Sequence, residues 1–378
     1  MSFESFELER WQSDFEHAVE YNLADSSVRG APLSDVLPAD AMDRFMALEL
    51  GYPQVNGTDA LRRRIAGLYR GATPDNVLVT VGGAEANQLV CQTLLEPGDE
   101  CIVMEPGYRQ VWGLARNLGA VVRPFSLRAD RGWRPDLEQL ARAITPRTKL
   151  IAVVNPNNPT GTILNAADRA AIVEIARRAG VWLLADEVYR GAERLTDAET
   201  PSFFGDYERV VAVNSLSKAY GLSGLRLGWA VASEDFIQAL WRRHEYAVIA
   251  ASAPSMFLAE IALGEPYRAR LLARQRKMMR DGWELLSQWV GRNSDLVSVA
   301  PSEATAIAFV RYNLPIGSVE VADRIRREAS VLVAPGEYLG ADHHLRITHG
   351  LGADRVVPAL DRIAEVLSGL TARVGQTA

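Results

Sequence analysis

Lysine is scarce in this chain. Only Lys149, Lys218 and Lys277 occur, and the other 38 of the 41 basic residues are arginines. Lys218 sits in SLSKAYGLSGLRLGW, Ser215 to Trp229, among serines, glycines and apolar residues rather than on a stretch suited to a solvated face. Arginine binds anions but stays protonated, whereas lysine can become a neutral amine and form an imine with a carbonyl compound. Lys218 is therefore a candidate nucleophile, and Arg226, eight positions on, a candidate anion ligand.

Other stretches carry residue types suited to chemistry. VTVGGAEANQLV places Gly82, Gly83 and Ala84 between an apolar run and a helical pattern. Such a turn aims backbone N–H groups and the positive helix end at a phosphate, although glycines there also serve packing alone. NPNNPTG, Asn155 to Gly161, sets two asparagines between prolines after the run Leu150 to Val154, more polar function than a turn needs. DEVY follows the run Val181 to Ala185, and its Asp186 taken alone could equally cap a helix. Tyr52 in GYPQVNG and Tyr108 in MEPGYRQVW read singly as loop aromatics, while Arg346 in HLRITHG has the planar fork that suits a carboxylate.

In this order, and spread over most of the chain, these segments resemble the class I/II aminotransferases, the fold-type I enzymes that use pyridoxal 5′-phosphate. The resemblance implies a role for each residue. Gly83, Ala84, Ser215 and Arg226 would hold the cofactor's phosphate. Tyr52 would reach the phosphate of a neighbouring subunit, making the active site shared and the protein a homodimer. Tyr108 would stack on the pyridine ring, Asn158 and Tyr189 would serve its phenolic oxygen, and Asp186 would lie against its nitrogen. Lys218 would form the internal aldimine, and Arg346, with Asn158 nearby, would grip the α-carboxylate of the substrate. Catalysis would rest on Lys218, Asp186 and Tyr189, moving an amino group from an L-amino acid to a 2-oxo acid by a ping-pong mechanism.

Two segments depart from the common pattern. The arm reads DSSVRGAP, with Ser26, Ser27 and Arg29 as possible substrate contacts, and PSEATAIAF, Pro301 to Phe309, replaces a glycine-rich aromatic segment. The ELERW start, LSKAYGLSGLRLGW and VLVAPGEYLG are similar to a subgroup that includes capreomycidine synthase, in which a hydroxylated arginine undergoes elimination and ring closure. Cyclisation or elimination is thus the alternative to transamination. A catalytically silent cofactor-binding sensor is a third reading, and the intact set Lys218, Asp186 and Tyr189 stands against it.

These residues need a frame. Short apolar runs at 77–81, 101–104, 150–154, 181–185, 210–214 and 227–232 alternate mostly with helical periodicity, and runs apolar on both faces are what buried parallel strands require. A mostly parallel sheet with helices on both sides is expected, with ligands at the carboxyl ends of its strands. The helix Ala166 to Ala179 should be capped by Asn165 and bury Ile172, Ile175 and Ala179. A helix near Leu8, Trp11, Phe15 and Val19 and a long helix from about Glu265 to Val290 flank this region. The expected division is a large cofactor-binding domain, 45–270, and a small α/β domain formed by 1–44 with 271–378.

Composition narrows the classes. A net charge of -6 argues against nucleic-acid binding, and no run approaches a membrane-spanning length. The opening residues carry acids where a secretory leader has cations, and Cys91 and Cys101 are two thiols in a long chain, so a cytoplasmic setting is expected. The histidines His17, His244, His343, His344 and His349 fit no metal-ligand spacing, so no metal is expected.

Overall fold

The computed structural model describes residues 3–377. Its strands, in chain order, are β1 (Tyr21–Asn22), β2 (Val77–Thr80), β3 (Glu100–Glu105), β4 (Val121–Arg128), β5 (Arg134–Pro135), β6 (Thr148–Val154) and β7 (Trp182–Asp186). They continue as β8 (Val210–Ser215), β9 (Gly228–Val231), β10 (Val297–Val299), β11 (Ile307–Tyr312), β12 (Val331–Leu332), β13 (Ala334–Pro335) and β14 (His344–Thr348).

An eight-stranded sheet has the order β2-β9-β8-β7-β6-β3-β4-β5. Its interior pairs are parallel from β8 through β7, β6 and β3 to β4. Strand β9 runs antiparallel to both β2 and β8, and β5 antiparallel to β4. Both faces are covered, as the continuous apolar runs require. Cys101, Val103, Leu150, Ala152 and Leu184 point into one core, with Leu89 and Val90 of the helix Gly82–Leu94. Ile102, Met104, Ile151, Val153, Leu183 and Ala185 point into the other, with Ile172 and Ala176 of the helix Ala166–Ala179.

That second helix begins as expected, with the Asn165 side chain accepting from the Asp168 N–H, but its buried stripe is Ile172, Val173 and Ala176. Ile175 is only half-buried and Ala179 is exposed. Strand β4 was not expected from the sequence, because Arg123 and Pro124 interrupt its apolar run; it lies next to the edge, where Val121 is exposed.

A four-stranded antiparallel sheet, β10-β11-β14-β13, follows in the C-terminal part. The N-terminal arm is stitched to it. Strand β1 pairs in parallel with β12, and Leu23 N–H donates to Leu332 O at 2.8 Å. Thr348 N–H donates to Leu23 O at 2.9 Å, and the indole N–H of Trp11, on the helix Glu7–Phe15, donates to Val333 O at 2.9 Å. The long helix is Tyr267–Arg292. It reaches both sheets' neighbourhoods: Gln275 Nε2 donates to Tyr220 O at 3.0 Å, and Gly282 lies against His349, the residue after β14. Among the described residues no helix is long and apolar enough to cross a membrane.

Two expectations follow from this packing. A Cβ on Gly282 would lie 1.9 Å from the His349 carbonyl oxygen, a backbone atom that cannot step aside. Gly282→Ala should therefore lower stability by about 1–3 kcal/mol, read from urea unfolding; an unchanged midpoint would contradict the close approach. Glu100, fully buried, is held at about 2 by hydrogen bonds from Arg123, with Arg147 and Thr145 adding to it against the cost of burial. Its folded pKa lies below the ordinary 4.5, so its contribution is complete above that value and disappears as pH falls toward 2. Glu100→Gln should be less stable than the parent at neutral pH, with the gap closing on acidification; a gap independent of pH would refute the ion-pair account.

Candidate active site

One cavity of about 360 Å³ opens where the parallel strands end. Strand β7 ends at Asp186 and β8 at Ser215, while β2 is followed by Gly82, β3 by Tyr108 and β6 by Asn158. Arg226 does not follow a strand but precedes one. Because β9 is reversed, its start lies at the same edge, with Gly228 paired to Ser215. The reversal is what brings Arg226 to the others. Asp186, Asn158, Tyr189, Ser215, Lys218, Arg226, Gly83, Ala84 and Tyr108 all line this cavity.

One end of the cavity is shaped for an anion. The helix Gly82–Leu94 starts there, and no side chain caps its N-terminus, so its first-turn N–H groups are left for a ligand. Gly82 has φ +77°, and a Cβ on it would lie 2.7 Å from Arg226 Nη2. A Cβ on Gly228 would lie 2.4 Å from the Gly82 carbonyl carbon. The left-handed backbone at Gly82 and the backbone contact at Gly228 therefore both call for glycine. Arg226 itself has φ +46°, and its Nη1 donates to Ser223 O at 3.0 Å, which orients the guanidinium.

The middle of the cavity holds an acid and an amine. Asp186 is buried; its carboxylate accepts from Asn87 Nδ2 at 3.0 Å and from Val188 N–H at 3.2 Å. Burial pushes its carboxyl above the usual range, against which Asn87, Val188 and the Lys218 charge pull the other way. A cation placed against it would restore the ionised form. Lys218 Nζ donates to Ser26 Oγ at 2.8 Å and Ser27 Oγ at 3.1 Å, both from the N-terminal arm. The Tyr189 hydroxyl donates to Ser26 O at 3.2 Å.

Arg346 stands behind Asn158. It is 1% exposed, donates from Nη1 to Asn158 Oδ1 at 3.2 Å and from Nη2 to Ala24 O, and its Nε has no partner. Among the described residues it forms no ion pair with a carboxylate, an arrangement suited to an anionic ligand. The Tyr108 hydroxyl donates to Glu9 Oε1 at 2.8 Å, with its ring against Phe6 at 5.1 Å between centroids.

Two candidates lie elsewhere. Arg29 turns outward and pairs with Asp354 at 3.0 Å, because the arm presents Ser26 and Ser27, not Arg29, to Lys218. Tyr52 is 87% exposed beside Leu50, Pro53 and Val248, outside the cavity of its own chain. Segment 301–309 does not line the cavity either; Ser302 and Ala304 pack on Gly161, and Glu303 accepts from Ile163 N–H.

The structure also adds residues. Asn87 lies one helical turn beyond Gly83 on the same face, a spacing that could have marked it. Glu9, Gln12, Ser13 and Glu16 line the cavity from the helix Glu7–Phe15 and its C-cap, with Asp25 from the arm. The four helix residues form a polar stripe at helical spacing, beside the buried Leu8 and Trp11. The sequence shows both stripes, but only the apolar one announces where it packs.

A sequence model described as aminotransferase class I and II matches residues 22–363. The arginine–pyruvate transaminase of Pseudomonas aeruginosa is 33% identical over 353 residues, covering 86% of this chain and 84% of that protein. Capreomycidine synthase of Streptomyces vinaceus is 28% identical over 312 residues, 82% of this chain and 79% of that one. The solved structure of a PLP-dependent aminotransferase from Streptococcus suis superposes with a TM-score of 0.91 at 30% identity, over 98% of this chain and 99% of that one. The family match over residues 22–363 takes in the whole eight-stranded sheet and most of the cavity lining, and on it the chain belongs to the class I and II aminotransferase family.

Proposed function

We propose that this protein is a pyridoxal 5′-phosphate-dependent aminotransferase whose amino donor carries a cationic side chain and whose acceptor is a 2-oxo acid. The observation that supports it best is the convergence of Lys218, Asp186, Gly83, Ala84 and Arg226 on one cavity. The residues fit the cofactor on three counts: glycines at 82 and 228 where an added side chain would collide, a buried carboxylate with no ion pair among the described residues, and a lysine amine lining the same cavity. When bound, pyridoxal phosphate supplies an aldehyde to carry the amino group and a ring that withdraws electrons.

The chain's own groups then have distinct tasks. The first turn of the helix Gly82–Leu94, Ser215 and Arg226 bind the phosphate. Asp186 would pair with the ring nitrogen in its protonated form, each charge balancing the other. Asn158 and Tyr189 orient the ring through its phenolic oxygen, and Tyr108 closes one face. Arg346 would take the α-carboxylate. Lys218, held by Ser26 and Ser27, would be the base that takes the proton from Cα. The arm and the helix Glu7–Phe15 exclude water from the mouth.

The donor's side chain would meet acids. Glu9, Glu16 and Asp25 line the mouth, while the only basic side chains lining the cavity among the described residues are Lys218 and Arg226, both already committed. Charge complementarity of this kind favours a guanidinium or ammonium. The same wall suits the second reading, elimination and ring closure of a hydroxylated arginine, since that substrate is cationic too. The two readings differ in product: an oxo acid in one, a dehydrated or cyclic amino acid in the other. Cytoplasmic action as a homodimer completes the proposal. Tyr52 would enter the partner's site, and the exposed Leu50, Tyr52 and Val248 would be covered by the second copy.

Three measurements test this reading. Borohydride treatment of the cofactor-loaded protein should attach the cofactor's mass to the peptide containing Lys218. In Lys218→Ala the mass should not appear and turnover should fall at least about a thousandfold; attachment elsewhere with turnover intact would remove Lys218 from the site. In a panel of single amino acids, arginine and lysine should outperform neutral donors, yield an oxo acid by mass spectrometry and show ping-pong kinetics. Glu16→Gln and Asp25→Asn should raise KM for the cationic donors about tenfold with little change for neutral ones. Equal losses for all donors would contradict the acidic wall.

A further inference from the structure

His244 is completely buried, lies outside the cavity, and takes no part in the chemistry above. It nevertheless ties together the backbone at the phosphate end. Its Nδ1 is 2.8 Å from Glu85 Oε1, and its Nε2 is 3.3 Å from the carbonyl oxygen of Val55. The other oxygen of Glu85 accepts from the N–H of Val81 at 2.6 Å. Val81 immediately precedes Gly82, and Glu85 sits in the first turn of the helix that opens the anion cradle. On the Val55 side, the next residue's carbonyl, Asn56 O, accepts from Val79 N–H at 3.2 Å, in the strand that leads into the same turn.

The protons of this unit are constrained by its partners. A carbonyl oxygen only accepts, so Nε2 carries a hydrogen toward Val55. Nδ1 and Glu85 Oε1 stand at hydrogen-bonding distance, so one proton must lie between them; two bare lone pairs would repel there. Whichever atom holds that proton, the Glu85–His244 pair carries no net charge. Without His244, Glu85 would be a buried carboxylate beside the turn that must accept a phosphate dianion. It would lose its compensation and oppose the ligand.

We propose that His244 is a positioning residue for the cofactor's phosphate. It neutralises Glu85, allowing that acid to fix the Val81 N–H, and so the Gly82–Ala84 turn, without repelling the anion. Through Nε2 it also anchors the segment that carries Tyr52. This inference rests on the phosphate-cradle reading given under the proposed function.

The test separates charge from packing by comparing two ligands, pyridoxal 5′-phosphate and pyridoxal, which differ only in the phosphate. Each is titrated into cofactor-free protein and followed by absorbance. His244→Leu should weaken pyridoxal phosphate binding about tenfold or more while leaving pyridoxal binding within about twofold of the parent. Glu85→Gln should bind the phosphorylated ligand nearly as the parent does, because its amide oxygen still accepts from Val81 and its amide nitrogen can donate to Nδ1. The double variant Glu85→Gln/His244→Leu should regain most of what His244→Leu loses. Should His244→Leu not fold, His244→Gln takes its place in both the single and the double variant. An equal loss for both ligands, no loss for either, or a double variant no better than the single would overturn the proposal. If the parent itself binds pyridoxal phosphate no better than pyridoxal, the cradle reading fails and this inference fails with it.

Discussion

A carboxylate sealed from water has to find its compensation inside the protein, and Asp186 finds only part of it. Asn87 and the Val188 N–H offer two hydrogen bonds, yet burial still lifts its carboxyl above the usual range. Leaving such a group under-compensated is costly, on the order of several kcal/mol when the charge is unpaired. A protein tolerates that where a ligand supplies the missing charge. The remainder of the site is arranged around this constraint, with an anion cradle at one end, an amine facing the cavity and an arginine behind Asn158.

The arrangement depends on sheet order as much as on residue type. Parallel strands β3, β6, β7 and β8 deliver Tyr108, Asn158, Asp186 and Ser215 to one edge, because parallel strands share a direction. Arg226 would be carried to the opposite edge by a strand of that direction. The antiparallel β9 instead begins at the cavity, and Gly228 lets it press against the helix start. The N-terminal arm contributes from the other side. Its pairing with β12 and its bond to Thr348 set Ser26 and Ser27 against Lys218 and place Ala24 O against Arg346, so the groups proposed for the reaction and for carboxylate binding share one anchored segment.

Much of this was legible in the sequence where chemistry or periodicity demanded a particular residue. The runs that became β2, β3, β6, β7, β8 and β9 were visible because burial on both faces leaves no room for alternation. Lys218 and Asn158 stood out because each occurs in a setting that packing alone does not explain, whereas Asp186, which alone could cap a helix, was marked by its place in the family's order of motifs. What could not be seen depended on direction or on distant partners. Strand β4 hid behind Arg123 and Pro124. The reversal of β9 leaves no trace in its composition. Arg29 and Ser26 are three residues apart in one arm, and only tertiary packing decides that Ser26 faces Lys218 while Arg29 meets Asp354. Glu85 and His244 are separated by most of the large sheet, and neither has a sequence neighbour that points to the other.

The central claim is that Lys218 and Asp186 address opposite ends of one cofactor ring. The most direct measurement is diffraction from crystals grown with pyridoxal 5′-phosphate. The maps should show density continuous with Lys218 Nζ, the ring nitrogen within hydrogen-bonding distance of the Asp186 carboxylate, and the phosphate against Gly83, Ala84 and Arg226. Density joined to another residue, or a ring whose nitrogen faces away from Asp186, would contradict it.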